Sequence, residues 1–204
     1  MALIMATIIG LTGGIASGKS TVSNILKDNG FYIVDADIAA RVVVEPGEKA
    51  YKVIVTAFGD DILHEDKTIN RKKLGSIIFH DDDKRQVLNE IVHPAVRERM
   101  NIWKQEAITA GKQTIIYDIP LLFESNLTHL VERTIVVYVD EDVQKKRLMQ
   151  RNNLSEPEAD ARIKSQMPLK QKVKMADVVI NNNGTIENTK NQINALIEKW
   201  NLVP

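Results

Sequence analysis

At 204 residues, 44% of them hydrophobic and 26% charged, the chain carries enough apolar material for a real core and predicts one compact domain with excursions. Its 27 Lys and Arg balance 27 Asp and Glu, so no broad cationic field is available to hold a nucleic-acid backbone. The lack of cysteine excludes disulfides, thiolate metal sites and a cysteine nucleophile, fits a reducing cytoplasm, and leaves any metal to oxygen ligands.

The apolar start, Met1 to Leu11, has no basic flank and meets a glycine-rich turn far short of a membrane-spanning length. It reads as a buried first strand, with Met5 as well as Met1 suited to initiation and no membrane partner expected. Runs fit for buried parallel strands lie at Thr7 to Leu11, Phe31 to Val34, Thr114 to Tyr117, Thr134 to Val139 and Val178 to Ile180. Between them the pattern predicts helices over Lys19 to Asn29, Ile38 to Val44, Glu48 to Phe58, Arg71 to Phe79, Asp82 to Ile91, Pro94 to Ala110, Glu141 to Asn152, Glu156 to Gln166 and Ile186 to Trp200. Alternating strands and helices mean right-handed crossovers and a doubly wound α/β fold with a five-stranded parallel sheet. The alternation fails twice. Residues 38–110 are too long and too helical for one crossover, and residues 151–175 form a smaller excursion, so two helical protrusions leave a core of 1–37, 111–150 and 176–204.

Gly13-Gly14-Ile15-Ala16-Ser17-Gly18-Lys19-Ser20 fits the phosphate-loop pattern and lies where that pattern works, between a strand and a helix. Glycines let the backbone turn its N–H groups on phosphate oxygens, and the helix starting at Lys19 adds its positive end. Lys19 supplies a cation to the β and γ phosphates of a nucleoside triphosphate, the Ser20 hydroxyl is placed to ligate Mg2+, and Thr21 lies near the α phosphate. The alternative is a turn that only joins strand to helix. A GTPase is disfavoured, because Asp118 leads into Ile119-Pro120-Leu121 and Asn181 to Asn183 contain no lysine.

Strand two ends in Val34-Asp35-Ala36-Asp37, and strand ends line the ligand crevice of a doubly wound sheet. Asp37 is the favoured reactive carboxylate: it orients an acceptor hydroxyl toward the γ phosphate and takes its proton late. The competing role is a helix cap. Arg41, one turn on, binds the acceptor or pairs with Asp37. Arg71 opens a helix and either meets acceptor phosphates or stands on the surface. His93, before Pro94, is expected outside helical geometry, at the entry of the helix that Pro94 starts, as a capping or packing residue. Asp118 ends a strand beside the loop, as a magnesium contact or a structural aspartate. Arg147 and Arg151 share a helix face and either approach the phosphates or join Lys145 and Lys146 in a solvated basic face. Asn182, in Asn181 to Gly184, borders the adenine or is an ordinary turn residue.

Gly10-Leu11-Thr12-Gly13-Gly14-Ile15 running into Ser17-Gly18-Lys19-Ser20, with Asp35-Ala36-Asp37, Arg41, His93-Pro94 and Pro120-Leu121-Leu122-Phe123-Glu124, together resemble the dephospho-CoA kinase family over essentially the full chain. The resemblance implies transfer of phosphate from ATP with magnesium to the ribose 3′-hydroxyl of dephospho-CoA, the last step of coenzyme A synthesis. It implies Asp37 as catalytic carboxylate, His93 on the acceptor side, the first excursion as the CoA-side domain and the second as a lid. Ala16 departs from the family's usual glycine, and at most a small local adjustment is expected there. Other readings are a nucleoside, nucleotide or shikimate-type kinase on the same scaffold, and an ATP-binding interaction protein without chemistry. The sequence is compatible with a monomer.

Overall fold

The computed structural model describes residues 6–204; the expectations resting on Met1 to Met5 lie outside the described residues. Two compact units are present, one made of Met1–Val34 with Glu106–Pro204 and the other of Asp35–Gln105.

The first unit is built on a five-stranded parallel sheet. Its strands are β1 (Thr7–Gly13), β2 (Tyr32–Asp35), β3 (Thr114–Asp118), β4 (Arg133–Tyr138) and β5 (Val178–Asn181), in the order β2-β3-β1-β4-β5. All five strands lie where the apolar runs predict them. β1 sits at the centre, with Leu11 in register with Asp118 of β3 and with Ile135 of β4. Chain order reverses across β1, so the crevice of the sheet opens at its carboxyl end. Because side chains alternate along a strand, β4 sends Ile135 and Val137 to one face and Val136 to the other. The first face is covered by α1 (Lys19–Asp28) and by α9 (Ile186–Trp200), which add Val22, Ile25, Leu26, Ile193 and Leu196 to Ile9, Leu11 and Ile116. The opposite face carries Phe123, Val139 and Leu169. Each such buried apolar side chain contributes about 1.5–3 kcal/mol to holding the sheet and its covering helices together. Gly10 is required by packing: a Cβ there would sit 2.9 Å from Leu122 and 3.1 Å from Val131.

This unit also contains α6 (Glu141–Asn152), α7 (Glu156–Lys164) and α8 (Leu169–Met175). The last is absent from the sequence-based expectations. At seven residues, two turns, it is too short for its period to stand out among three lysines. α7 opens with a capping box, Ser155 N–H and hydroxyl both meeting Glu158.

The second unit holds α2 (Ala36–Val42), α3 (Lys49–Phe58), α4 (Arg71–Phe79) and most of α5 (Asp82–Thr109). Ile54, Ile62, Ile69 and Leu74 form its small core. The Arg99 guanidinium ties α5 to Glu48 at the start of α3, at 2.8 Å. α5 corrects one expectation. It runs unbroken through Pro94, so His93 is helical and does not stand at a helix entry. Proline removes one N–H and crowds the carbonyl four residues back. In a 28-residue helix that local cost is outweighed by packing on both sides of it, with Leu88, Ile91 and Val92 against the core of the second unit and Met100 buried further on. Among the described residues no helix is long and apolar enough to cross a membrane.

Candidate active site

The chain leaves β1 at Gly13, turns through residues 14–18 and enters α1 at Lys19. Two loop residues are left-handed, Ala16 at φ 59° and Gly18 at φ 89°. Gly18 is glycine for a second reason: a Cβ there would lie 2.0 Å from Asn182 Nδ2. Ala16 needs more than the small adjustment expected of it, since an L-residue in this region costs roughly 1–2 kcal/mol. No side chain caps α1, and its first bonds run from Thr21 and Val22 N–H to Gly18 O, at 3.0 and 3.3 Å. The Lys19 and Ser20 amides therefore form the open, positive end of the helix, as an anion site requires. The Ser20 side chain is exposed and Thr21 is half-buried.

Lys19, at the start of α1, reaches to β3 and pairs with Asp118, which is buried at the carboxyl end of that strand. The register that sets Leu11 beside Asp118, and the Ile119 N–H to Leu11 O bond of 2.9 Å, put this carboxylate at the exit of the loop strand. Two of the residues singled out in the sequence thus meet directly.

Arg147 and Asn182 also converge on the loop. Asn182 is buried, donates from Nδ2 to Ser17 O at 2.9 Å and accepts from Thr189 Oγ1 at 2.9 Å. Arg147 donates to Asn182 O at 3.0 Å and lies next to Gly18. Arg151, a turn further along α6, is exposed and bonds to Asn152 at 2.9 Å. Lys145 is not part of a plain basic face: it bridges to Asp160 at 2.8 Å and Glu156 at 3.1 Å. Its hydrogen bond to Asp160, and next that to Glu156, push the ammonium above the usual lysine range.

The remaining candidates belong to the helical unit. Asp35, not Asp37, caps α2, accepting the Ile38 N–H at 2.9 Å. Helix begins at Ala36, so the two carboxylates no longer share an extended face, and Asp37 sits exposed in the first turn. Arg41 is exposed in the last turn of the same helix, and the two make no ion pair with each other. Arg71 is exposed at the start of α4, where Asn70 supplies the cap by accepting from Lys73 N–H at 3.0 Å. His93 is exposed on α5 and lines a groove of about 510 Å³ together with Arg85, Glu90 and Arg97.

Sequence reasoning missed the inner supports of the loop. Lys172 of α8 is fully buried; its ammonium meets Glu124 Oε1 at 2.8 Å, Pro120 O at 3.1 Å and Gly13 O at 3.2 Å. Gln166 accepts the Ile15 N–H at 2.8 Å, and Gln144 donates to Ile15 O at 2.8 Å. One signal was present: Leu169, Lys172 and Val173 fall on one helical face, so the lysine shares the side of two apolar residues.

A family model described as dephospho-CoA kinase matches residues 7–188. The chain belongs to the dephospho-CoA kinase family. It is 58% identical over 198 residues to the dephospho-CoA kinase of Oceanobacillus iheyensis, covering 97% of this chain and 100% of the relative. Among solved structures, TT1252 from Thermus thermophilus is similar with a TM-score of 0.79 and 30% identity, over 95% of this chain and 97% of that one. The dephospho-CoA kinase from Campylobacter jejuni is similar with a TM-score of 0.72 and 30% identity, over 97% of this chain and 100% of that one. Membership makes the chain a kinase, a phosphotransferase.

Proposed function

We propose that this chain transfers the γ phosphate of ATP to the ribose 3′-hydroxyl of dephospho-CoA in the cytoplasm, completing coenzyme A. The observation that carries the reading is full-length family membership in a chain whose phosphate loop has an uncapped helix start and a lysine held over it by a buried aspartate.

In this reading the loop from Gly13 to Ser20, with Thr21, binds the triphosphate. Lys19 exchanges its Asp118 partner for the β and γ phosphate oxygens, so its charge follows the charge that develops in transfer. Asp37, spared the capping role by Asp35, orients the acceptor hydroxyl and takes its proton. Arg41, Arg71 and His93 bind the acceptor. Arg147 meets phosphate charge at Gly18, Asn182 borders the nucleotide, and within residues 151–175 it is Arg151 and α7 that serve as the lid that excludes water, since Gln166 to Lys172 are anchored to the loop and the core. Ser20 and Asp118 fit magnesium: both offer hard oxygen donors, and no cluster of three metal-binding side chains exists among the described residues. That donor set suits an ion that keeps most of its waters and shares phosphate oxygens, and it would supply neutralisation of phosphate charge.

The test is ADP release by purified protein with ATP and magnesium across a panel of dephospho-CoA, shikimate and nucleoside monophosphates. Turnover should need dephospho-CoA, yield coenzyme A by mass spectrometry and stop with a chelator. Saturation by another acceptor alone, or ATP binding that no acceptor turns into turnover, would overturn it.

A further inference from the structure

A phosphate loop works by facing N–H groups inward, which forces the alternate carbonyls outward into the protein, where each needs a donor. The chain meets that demand in a regular way. Gly13 O accepts from Lys172 at 3.2 Å, Ile15 O from Gln144 at 2.8 Å and Ser17 O from Asn182 at 2.9 Å. These donors come from α8, from α6 and from the turn after β5. The described peptides are trans, so a held carbonyl turns the next N–H the opposite way. Gly14, Ala16 and Gly18 therefore direct their N–H groups away from the three donors. The intervening amides are used on the protein side, Ile15 N–H by Gln166 at 2.8 Å and Ser17 N–H by Gly14 O at 3.1 Å.

We propose that Lys172 is a positioning residue for the kinase reaction: its ammonium, held in place by Glu124, fixes the first outward carbonyl of the phosphate loop and thereby the array of N–H groups that takes the triphosphate. Lys172 differs from the other two donors in bringing a charge. It is 0% exposed, and its three donors are matched by three acceptors, Glu124 Oε1, Pro120 O and Gly13 O. Pro120 O also accepts from Thr12 Oγ1 at 2.9 Å, so the one ammonium joins the ends of β1 and β3. Glu124 Oε1 takes the Met167 N–H at 3.2 Å, and its Oε2 is buried with no hydrogen-bond partner among the described residues. Met167 and Gln166 lie between α7 and α8, so the Glu124 and Gln166 contacts tether that junction to the loop. A lysine used only as core filling would not place its head on the carbonyl that begins the cradle.

The inference rests on the loop binding ATP, and the test keeps the two apart. Lys172→Met alone strands the Glu124 charge, so it is accompanied by the double variant Lys172→Met/Glu124→Gln, which removes both charges and keeps the volume and the Met167 acceptor. ATP affinity is titrated directly, with KM for ATP and for dephospho-CoA measured separately. The double variant should melt near the wild type, bind ATP about tenfold or more weakly and leave the KM for dephospho-CoA unchanged, because only the nucleotide contacts are misaligned. Lys172→Arg keeps charge and donors and should hold ATP affinity within about threefold of wild type. A folded double variant with wild-type ATP affinity would overturn the proposal, and so would one that fails to fold, since the pair would then be a structural brace. Wild-type protein that binds no ATP would instead remove the reading of the loop itself.

Discussion

Replacing Ala16 by glycine should stabilise the ligand-free protein. At φ 59° the alanine Cβ crowds the backbone, at a cost of roughly 1–2 kcal/mol that glycine does not bear. Glycine returns part of this, because the unfolded chain gains freedom worth about 0.4–1 kcal/mol. The balance is about 0.8 kcal/mol in favour of Ala16→Gly. For a chain of this length that corresponds to a rise of about 2–3 °C in Tm. Thermal and urea unfolding followed by circular dichroism, without nucleotide, would read it. The control is Ala161→Gly on the exposed side of α7, where the same atoms are removed from an ordinary helix and stability should fall by about 1 kcal/mol. Opposite signs at the two positions are the expected result. Ala16→Gly that lowers the midpoint, or leaves it unmoved, would refute the claim that this loop stores backbone strain.

Asp37→Asn should leave ATP affinity largely intact while lowering kcat by about a hundredfold or more, because it removes a proton acceptor and no phosphate contact; steady-state kinetics with unchanged kcat would take Asp37 out of the mechanism. Asn182→Ala removes the bonds to Ser17 O and from Thr189. Thr189 retains Thr185 O at 3.3 Å, so the cost should be near the low end of about 1–3 kcal/mol. Urea unfolding that shows no loss would mean Ser17 O is satisfied without it.

Local chemistry carried much of this protein into view. Strands buried on both faces must be continuous apolar runs, so all five could be located from Thr7, Phe31, Thr114, Thr134 and Val178 onward. The phosphate loop was legible because glycines and a lysine at fixed spacing do the same work in any surroundings, and the wider motif set carried the family. Pro94 misled for a related reason: its penalty is local and visible, whereas the packing that outweighs it is spread along 28 residues of α5. Asp35 and Asp37 are two steps apart with the same chemistry, and only the observed helix start at Ala36 makes the first of them the cap.

What the sequence determined by itself was a parallel sheet, a phosphate loop at its mouth and the family to which they belong, because these depend on residue type, order and near spacing. Tertiary structure alone decided that Ala16 is left-handed, that Lys19 rests on Asp118, and that Lys172 is buried against Glu124 and Gly13. The physical reason is distance along the chain. A lysine reads as a surface residue until a carboxylate and two carbonyls from remote segments, Gly13 lying 159 positions away, are folded around it to match its charge and its three donors.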